Sequence, residues 1–389
     1  MRAVFTLAFV FTSFGPASPT ASPAESAAAV IRSEQADFRI STIASGLEHP
    51  WGLAFAPDGD ILVTERVGRL RRIRNGRLQS DLISGVPTDI LVERLSGLHD
   101  VALHPRFTSN HWVYLSYTAG THDANRLTLR RYRLQDDALV EDTLLFQTNV
   151  AKVGPGLTGG GLLFLPDGTL LLSVGDGTHL YKEDDPRFRP HKQAQNLGNT
   201  LGSIIRLRDD GSIPSDNPFA NDSSVRPEIY AYGLRNAQGV AYRVEARQIW
   251  AVDHGAKGGD EINLISAGMN YGWPAITYGV NYDGAPISEH RRARMMQQPV
   301  WYWVPSIAPS SLTFCASSAF PGWHGDLFVG ALKGAQLLRL ELEGMAVIAV
   351  EPLLTDLEER IRNVRCGPDG SVYVLTDNVA GRLLRLGPL

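Results

Sequence analysis

The sequence repeats one two-strand pattern six times, and this repetition limits the possible folds more than any other feature. Each copy has a strand of alternating apolar residues, usually a Pro-Asp-Gly-like turn, and a second apolar strand. Asp-Gly at the turn supplies the positive φ that a tight hairpin needs. Six similar hairpins predict six similar sheets. The copies begin at Gly52, Asp100, Gly161, Gly239, Ser311 and Asn363.

The spacing between copies predicts how the sheets are arranged. Intervals of roughly 50 to 75 residues leave room for four short strands and loops, the size of a propeller blade. Segments 68–73, 335–342 and 381–386 read as third strands. The last copy lacks a fourth strand, whereas 38–42 is a strand without a hairpin. We therefore predict an all-β fold, a six-bladed β-propeller closed by N- and C-terminal strands sharing one blade. A β-sandwich array is the alternative, but long interleaved loops suit a ring better.

The N-terminal segment has the order of an export signal. Arg2 precedes an apolar run over 3–11, followed by small residues and prolines through Ala29. We predict a signal peptide and linker over 1–29, a propeller over 30–389 and a periplasmic or secreted protein. A frayed hydrophobic tail is the alternative. The run is too short to span a bilayer, and no later apolar stretch reaches about 18 residues, so no membrane span is expected.

Composition excludes several classes of function. The formal net charge is −4, which gives no positive field to attract nucleic acid. Two cysteines, Cys315 and Cys366, are too few for a disulfide scaffold or a cysteine-based zinc site, and the sequence leaves their pairing open. Nucleophile-elbow, zinc-protease, Walker and dinucleotide motifs are absent from the sequence.

Cationic residues at equivalent ends of different repeats indicate a ligand site. A propeller brings such ends around one channel mouth, and several cations at one cavity favour an anionic ligand. Solvated surface charges are the alternative for each one alone. Asp260 and Glu261, in a Gly-rich loop, would suit a hard cation, although such a pair is commonly a turn or cap. The cationic residues are Arg235, Lys333, Arg360 and Arg362.

Ordered motifs from Phe38 to the C-terminus carry a family resemblance. They resemble the soluble aldose sugar dehydrogenases of the glucose/sorbosone dehydrogenase family, which depend on pyrroloquinoline quinone (PQQ). The resemblance implies an exported six-bladed propeller that oxidises C1 of an aldose to a lactone by hydride transfer to PQQ, with an electron acceptor that the sequence does not identify. The motifs include PWGLAFAPDG (50–59), QNLGNTLGSIIRL (195–207), GLRNAQG (233–239), GGDEINLI (258–265), NYGWP (270–274), PSIAPSS (305–311) and ERIRNV (359–364).

The resemblance also assigns residues to cofactor and metal sites. The positions that match the family's cofactor-binding residues are Arg235, Asn236, Lys333, Arg360 and Arg362. A calcium ion beside the quinone is implied at the backbone carbonyls of Gly255 and Ala256. A second, structural calcium is implied at Glu261 and Tyr271.

Four positions depart from the family pattern. The position of the catalytic His is Leu157, and a leucine cannot accept the proton of a sugar hydroxyl. Three substitute bases are conceivable, His99, His179 and His254, and His254 beside the calcium loop is favoured. The alternative function is therefore a catalytically impaired propeller that binds PQQ, a sugar or another anion; a scaffold for protein contacts is a third reading. The other departures are Leu95 for a Gln, Gly161 for an Arg and Leu234 for a His.

Overall fold

The computed structural model describes residues 30–178, 190–315 and 319–389. The predicted signal segment, 1–29, lies outside these residues. Two strands precede the first hairpin, β1 (Val30–Ile31) and β2 (Phe38–Leu47). Blade 1 comprises β3 (Pro50–Phe55), β4 (Ile61–Glu65), β5 (Arg69–Arg74) and β6 (Arg77–Leu78). Blade 2 comprises β7 (Leu98–Leu103), β8 (Trp112–Gly120), β9 (Asn125–Gln135) and β10 (Ala138–Gln147). Blade 3 comprises β11 (Gly159–Phe164), β12 (Leu170–Val174), β13 (Ser203–Leu207) and β14 (Ile229–Tyr232).

The remaining strands complete a ring of six sheets within the described residues. Blade 4 comprises β15 (Ala237–Arg243), β16 (Gln248–Asp253), β17 (Asp260–Ile265) and β18 (Trp301–Trp303). Blade 5 comprises β19 (Pro309–Phe314), β20 (Leu327–Ala331), β21 (Gln336–Glu343) and β22 (Ala346–Leu353). Blade 6 has β23 (Ile361–Cys366), β24 (Val372–Thr376) and β25 (Gly381–Gly387), followed outward by β2 and β1. The predicted six-bladed propeller, with N- and C-terminal strands in one blade, is confirmed.

Helical segments are short throughout the described part of the chain. They are α1 (Phe107–Asn110) and 3-10 turns at Pro190–Gln195, Pro321–Trp323 and Thr355–Leu357. Within the described residues, no helix has the length and apolar character needed to cross a membrane.

Strand contacts and side-chain hydrogen bonds join each blade to the next around the ring. The first strand of each blade contacts that of the next, and β23 of blade 6 contacts β3 of blade 1. Serine and threonine suit these junctions because a short hydroxyl side chain reaches the next backbone without a wide gap. Three such bonds run from Thr64 Oγ1 to the His99 carbonyl (2.5 Å), from Ser116 Oγ to Gly160 (2.5 Å) and from Ser310 Oγ to Ile361 (2.6 Å).

Apolar side chains on both faces of the blades form a core between each neighbouring pair of sheets. Phe328 of blade 5, for example, is fully buried against Val374 and Leu384 of blade 6. This arrangement explains why both strands of each repeated hairpin are rich in apolar residues: each sheet is covered on two sides. A disulfide between Cys315 and Cys366 joins the ends of β19 and β23, which resolves the pairing that the sequence left open.

Candidate functional site

Three of the four predicted cations, Arg235, Arg360 and Arg362, meet at one end of the propeller ring. The two inner strands of each blade are antiparallel, so the start of the first strand and the end of the second lie on the same face of the ring. A cavity of about 190 Å³ opens on that face. Its wall includes Arg235 and Asn236 before β15, His254 after β16, and Arg360 and Arg362 at the start of β23.

Arg235 is buried in this wall, and backbone contacts fix its position. Both oxygens of the Asp253 carboxylate accept backbone N–H groups, from Arg235 at 2.8 Å and from Asn236 at 2.6 Å. Nη1 of Arg235 donates to the carbonyls of His254 (2.7 Å) and Gly255 (2.6 Å). Its Nε is buried and has no hydrogen-bond partner among the described residues. A free donor on a buried cation is a ready contact for an anionic ligand.

Arg362 shows the same combination of burial and a free donor. Its side chain is 5% exposed, and the guanidinium lies 4.1 Å from the ring centre of Trp51. Nη2 donates to Asp377 Oδ2 at 2.7 Å, whereas the buried Nε has no partner among the residues that the structure describes. Burial lowers the pKa of Arg362, against the opposing charge of Asp377. An anion in the cavity would satisfy this donor and offset the buried charge.

Apolar side chains line another part of the wall, which also includes Thr158, Gln238 and Tyr282. Leu157 and Leu332 are buried there, next to Leu95 and Ala308. These residues can pack against the body of a ligand but offer it no hydrogen bond. The cavity therefore suits a ligand that has anionic groups and a flat or apolar body.

His254 is the histidine in the described wall of the cavity. Burial lowers the pKa of its imidazole to about 3, and the positive charges of Arg235, Arg362 and Arg360 contribute to the shift. The ring is therefore neutral at neutral pH and has a lone pair that can accept a hydrogen bond or a proton. The same three charges oppose its protonation, so in this state of the site His254 is a weak base.

Comparison with known proteins assigns the family. The family model for glucose/sorbosone dehydrogenases matches residues 47–385. This chain belongs to the glucose/sorbosone dehydrogenase family. Among its relatives, the aldose sugar dehydrogenase YliI of Escherichia coli strain K12 is 40% identical over 359 residues, which cover 91% of this chain and 94% of YliI.

Solved structures of other family members share the fold. A crystal structure of a glucose dehydrogenase has a TM-score of 0.84 and 39% identity, and the match covers 90% of this chain and 99% of that one. The aldose sugar dehydrogenase of Streptomyces coelicolor, solved with PQQ bound, has a TM-score of 0.68 and 26% identity, and the match covers 90% and 98% of the two chains. The family resemblance read from the motifs is confirmed.

The structure separates the family-pattern residues that reach the cavity from those that do not. Of the departures, Leu157 and Leu95 line the wall, but Leu234 is fully buried in the core between blades 3 and 4. The side chain of Leu234 therefore belongs to the core between two sheets and is not part of the described wall. Lys333 is exposed and lies outside the described wall, although its neighbour Leu332 is part of it.

The sequence also offers His99 and His179 as substitute bases. His99 is fully buried behind the wall, where Nε2 lies 2.9 Å from Thr118 Oγ1 and the ring meets Trp51 edge-on. Burial lowers its pKa to about 3, with further contributions from nearby cations that include Lys152. His99 thus contacts Trp51, which is part of the described wall, but is not itself part of it. His179 lies outside the described residues.

The residues predicted to bind calcium have other contacts in this structure. The Gly255 carbonyl accepts a bond from Arg235, and Ala256 packs against Trp273. Tyr271 donates its hydroxyl to the Leu264 carbonyl at 2.6 Å. Burial, and then the charge of Asp253, raise the pKa of Glu261 to about 8. Across the described ranges, no group of three or more His, Cys, Asp or Glu side chains is placed to hold a metal.

Sequence reasoning missed the acidic residues behind the arginines. An acidic residue follows or ends the second strand in four of the six repeats, and such a recurrence was visible in the sequence. In the structure these carboxylates anchor the loops of the cavity face, as Asp253 and Asp377 do for the arginines. The four residues are Glu65, Asp176, Asp253 and Asp377.

Proposed function

We propose that this chain is a PQQ-dependent dehydrogenase that oxidises the anomeric C1 of aldose sugars to lactones. The observation that carries the proposal is a pair of buried arginines at one cavity, Arg235 and Arg362, whose Nε atoms have no hydrogen-bond partner among the described residues. PQQ is an aromatic tricarboxylate, so its charge and shape fit a wall of arginines and apolar side chains. When bound, PQQ accepts the hydride of C1 while the C1 hydroxyl loses its proton, which yields the lactone and the reduced quinone.

In this proposal, the residues of the chain bind the cofactor and orient it. Arg235, Arg360 and Arg362 would hold the carboxylates, because a charge-assisted hydrogen bond in a buried site is stronger than one in water. Asn236 would also contact the cofactor. Its side chain is fixed by a hydrogen bond, in which Oδ1 accepts from the backbone N–H of Gly159 at 3.0 Å. Leu157, Leu95 and Leu332 also line the cavity and would exclude water from around the bound cofactor.

The proton acceptor within this proposal is His254. Its neutral imidazole lines the cavity, and no other histidine does so among the described residues. Carboxylates bound to the surrounding arginines would offset the charges that now oppose protonation of the ring. The cofactor would in this way make His254 a better base than it is in the cofactor-free protein.

A second function is favoured by Leu157. This side chain lies in the wall at the position where the family resemblance expects the catalytic base. Loss of a general base typically slows a reaction by about 10²- to 10⁴-fold. A protein that binds PQQ or another anion without efficient turnover is therefore the alternative.

One absorbance experiment separates these functions. The purified protein is mixed with PQQ, desalted, and its quinone spectrum is recorded before and after a mixture of aldoses is added. Parallel samples contain calcium or EDTA, which measures any calcium requirement at Gly255 and Ala256. Retained quinone that becomes reduced supports the dehydrogenase. Retained quinone that stays oxidised supports the alternative. If the protein does not retain quinone with calcium present, neither function can involve PQQ.

The remaining assignments stay predictions. Export to the periplasm rests on the segment 1–29, and cell fractionation of the full chain tests it. The aldose mixture, tested one sugar at a time, identifies the preferred substrate.

A further inference from the structure

One buried carboxylate organises the cations of blade 6. Asp377 follows β24, and its side chain is 7% exposed. Oδ2 accepts from Arg362 Nη2 at 2.7 Å and lies 3.4 Å from Arg360, while Oδ1 lies 2.8 Å from Nδ1 of His49. Burial alone would raise the pKa of Asp377, but the charge and hydrogen bonds of Arg362 and its neighbours hold it well below its usual value. The group is therefore an anion at neutral pH.

The hydrogen bond from Arg362 to Asp377 decides which donors of the guanidinium remain for a ligand. Trp51 covers one face of the group at 4.1 Å, and Asp377 takes Nη2. The buried Nε is left without a partner among the described residues. Asp377 itself is outside the described wall of the cavity, so it acts on a ligand through the arginines.

We propose that Asp377 is a positioning residue for the anionic cofactor: it holds Arg362, and more loosely Arg360, in the orientation that presents free N–H groups to the cavity. This inference rests on the proposed function, since it concerns the same ligand. For a variant that lacks this carboxylate, the inference and a net-charge argument predict opposite changes in the affinity for the anionic cofactor. Removing a negative charge beside two arginines should tighten anion binding if only net charge mattered, whereas loss of orientation should weaken it.

The test compares Asp377→Asn with a matched control remote from the cavity. On blade 5, Asp326 accepts from Arg339 Nη1 at 2.6 Å, and the two side chains are 8% and 1% exposed. Asp326→Asn therefore breaks an equally buried aspartate–arginine pair that does not touch the cavity. Dissociation constants for PQQ are measured by equilibrium dialysis on the folded full chain, with folding verified by thermal unfolding. A third variant, His49→Gln, removes the other partner of Asp377.

We expect Asp377→Asn to raise the dissociation constant for PQQ at least about tenfold, the effect of one charge-assisted hydrogen bond. Asp326→Asn and His49→Gln should change it less than about threefold, even where they lower the melting temperature. An unchanged or lower dissociation constant in Asp377→Asn would overturn the inference, as would an equal loss in Asp326→Asn. If the unmodified protein does not bind PQQ, the proposed function fails first.

If Asp377→Asn does not fold, Asp377→Glu replaces it in the same comparison. The longer side chain keeps the charge but moves the carboxylate away from its present place. Weaker PQQ binding by Asp377→Glu, with charge conserved, supports positioning. Unchanged binding would show that the charge alone is required and would contradict the inference.

Discussion

Nη1 of Arg235 donates a 2.6 Å hydrogen bond to the carbonyl oxygen of Gly255, the oxygen that the family resemblance assigns to calcium. The carbonyl oxygen has a second lone pair that calcium could use, but a cation there would be repelled by the guanidinium, on the order of 4 kcal/mol for single charges 4 Å apart in a partly buried site. We therefore expect substitutions of Arg235 to change both the proposed cofactor binding and any calcium binding at this face.

Replacing Arg235 should remove most of the affinity for PQQ. Arg235→Ala loses a charged donor from a buried wall, and one charge-assisted hydrogen bond contributes about 1.5–3 kcal/mol, or roughly 10- to 150-fold in affinity. The control is Arg243→Ala, at the other end of β15, where Nη1 donates to the Gly344 carbonyl at an exposed site. PQQ titrations measure the affinity of both variants. Equal PQQ affinities of Arg235→Ala and Arg243→Ala would show that Arg235 is not part of the cofactor site.

Placing a histidine at position 157 should increase turnover. Leu157 is 4% exposed in the cavity wall, so Leu157→His would put an imidazole at the position where the family resemblance expects the catalytic base. We expect kcat on aldoses to rise by up to about 10²- to 10⁴-fold, the usual contribution of a general base. Leu332→His adds an imidazole to another part of the same wall and serves as the control. A similar gain in both variants would show that position 157 has no special geometry.

Lys152 should make the free energy of unfolding depend on pH in the neutral to alkaline range. Burial lowers the pKa of its ammonium group to about 7, compared with about 10.4 in an unfolded chain. Between these values the unfolded state binds more protons, so stability rises with pH from about 7 to about 10, by up to roughly 4 kcal/mol. Below pH 7 both states are protonated, and the cost of the buried charge is constant.

The contribution of Lys152 is measured by urea unfolding from pH 6 to pH 10. Lys152→Met should lose this part of the rise, while Lys333→Met, at an exposed lysine, should keep it. A rise of the same size in the wild-type protein and in Lys152→Met would assign it to other groups.

Loss of the disulfide should destabilise the junction of blades 5 and 6. Cys315 and Cys366 are separated by 51 residues in sequence. Closing a loop of this size lowers the entropy of the unfolded chain, which stabilises the fold by about 4 kcal/mol in the chain-entropy treatment. The double variant Cys315→Ser/Cys366→Ser should unfold at correspondingly lower urea concentration. Its stability should not change further with reductant, whereas that of the wild-type protein should fall to a similar level.

Much of the fold was predictable because its signals are local. A run of alternating apolar residues and a turn specify a hairpin from neighbouring residues alone, and all six predicted hairpins formed. At one turn, Gly59 has a φ of 91°, as the Pro-Asp-Gly pattern predicts. The shared blade was predictable as well, since an unpaired strand at 38–42 and a missing fourth strand at the other end leave one solution without open edges.

Part of the site was also predictable, because the ends of equivalent strands must meet once the ring closes. This argument brought Arg235, Arg360 and Arg362 together, as the structure shows. Lys333 stays a prediction, since its exposed side chain lies outside the described wall but directly follows Leu332, which is part of it.

The sequence by itself determined the strands, their grouping into six blades, the closure and the face on which the cations gather. Only the tertiary structure decided that Leu157 lines the cavity while Leu234 belongs to a core, and that Asp377 holds Arg362. The physical reason is the distance along the chain over which the deciding interactions act. Strand and turn preferences act between residues close in sequence, whereas the direction of a side chain at a strand end depends on blade twist and on partners that only ring closure brings within reach.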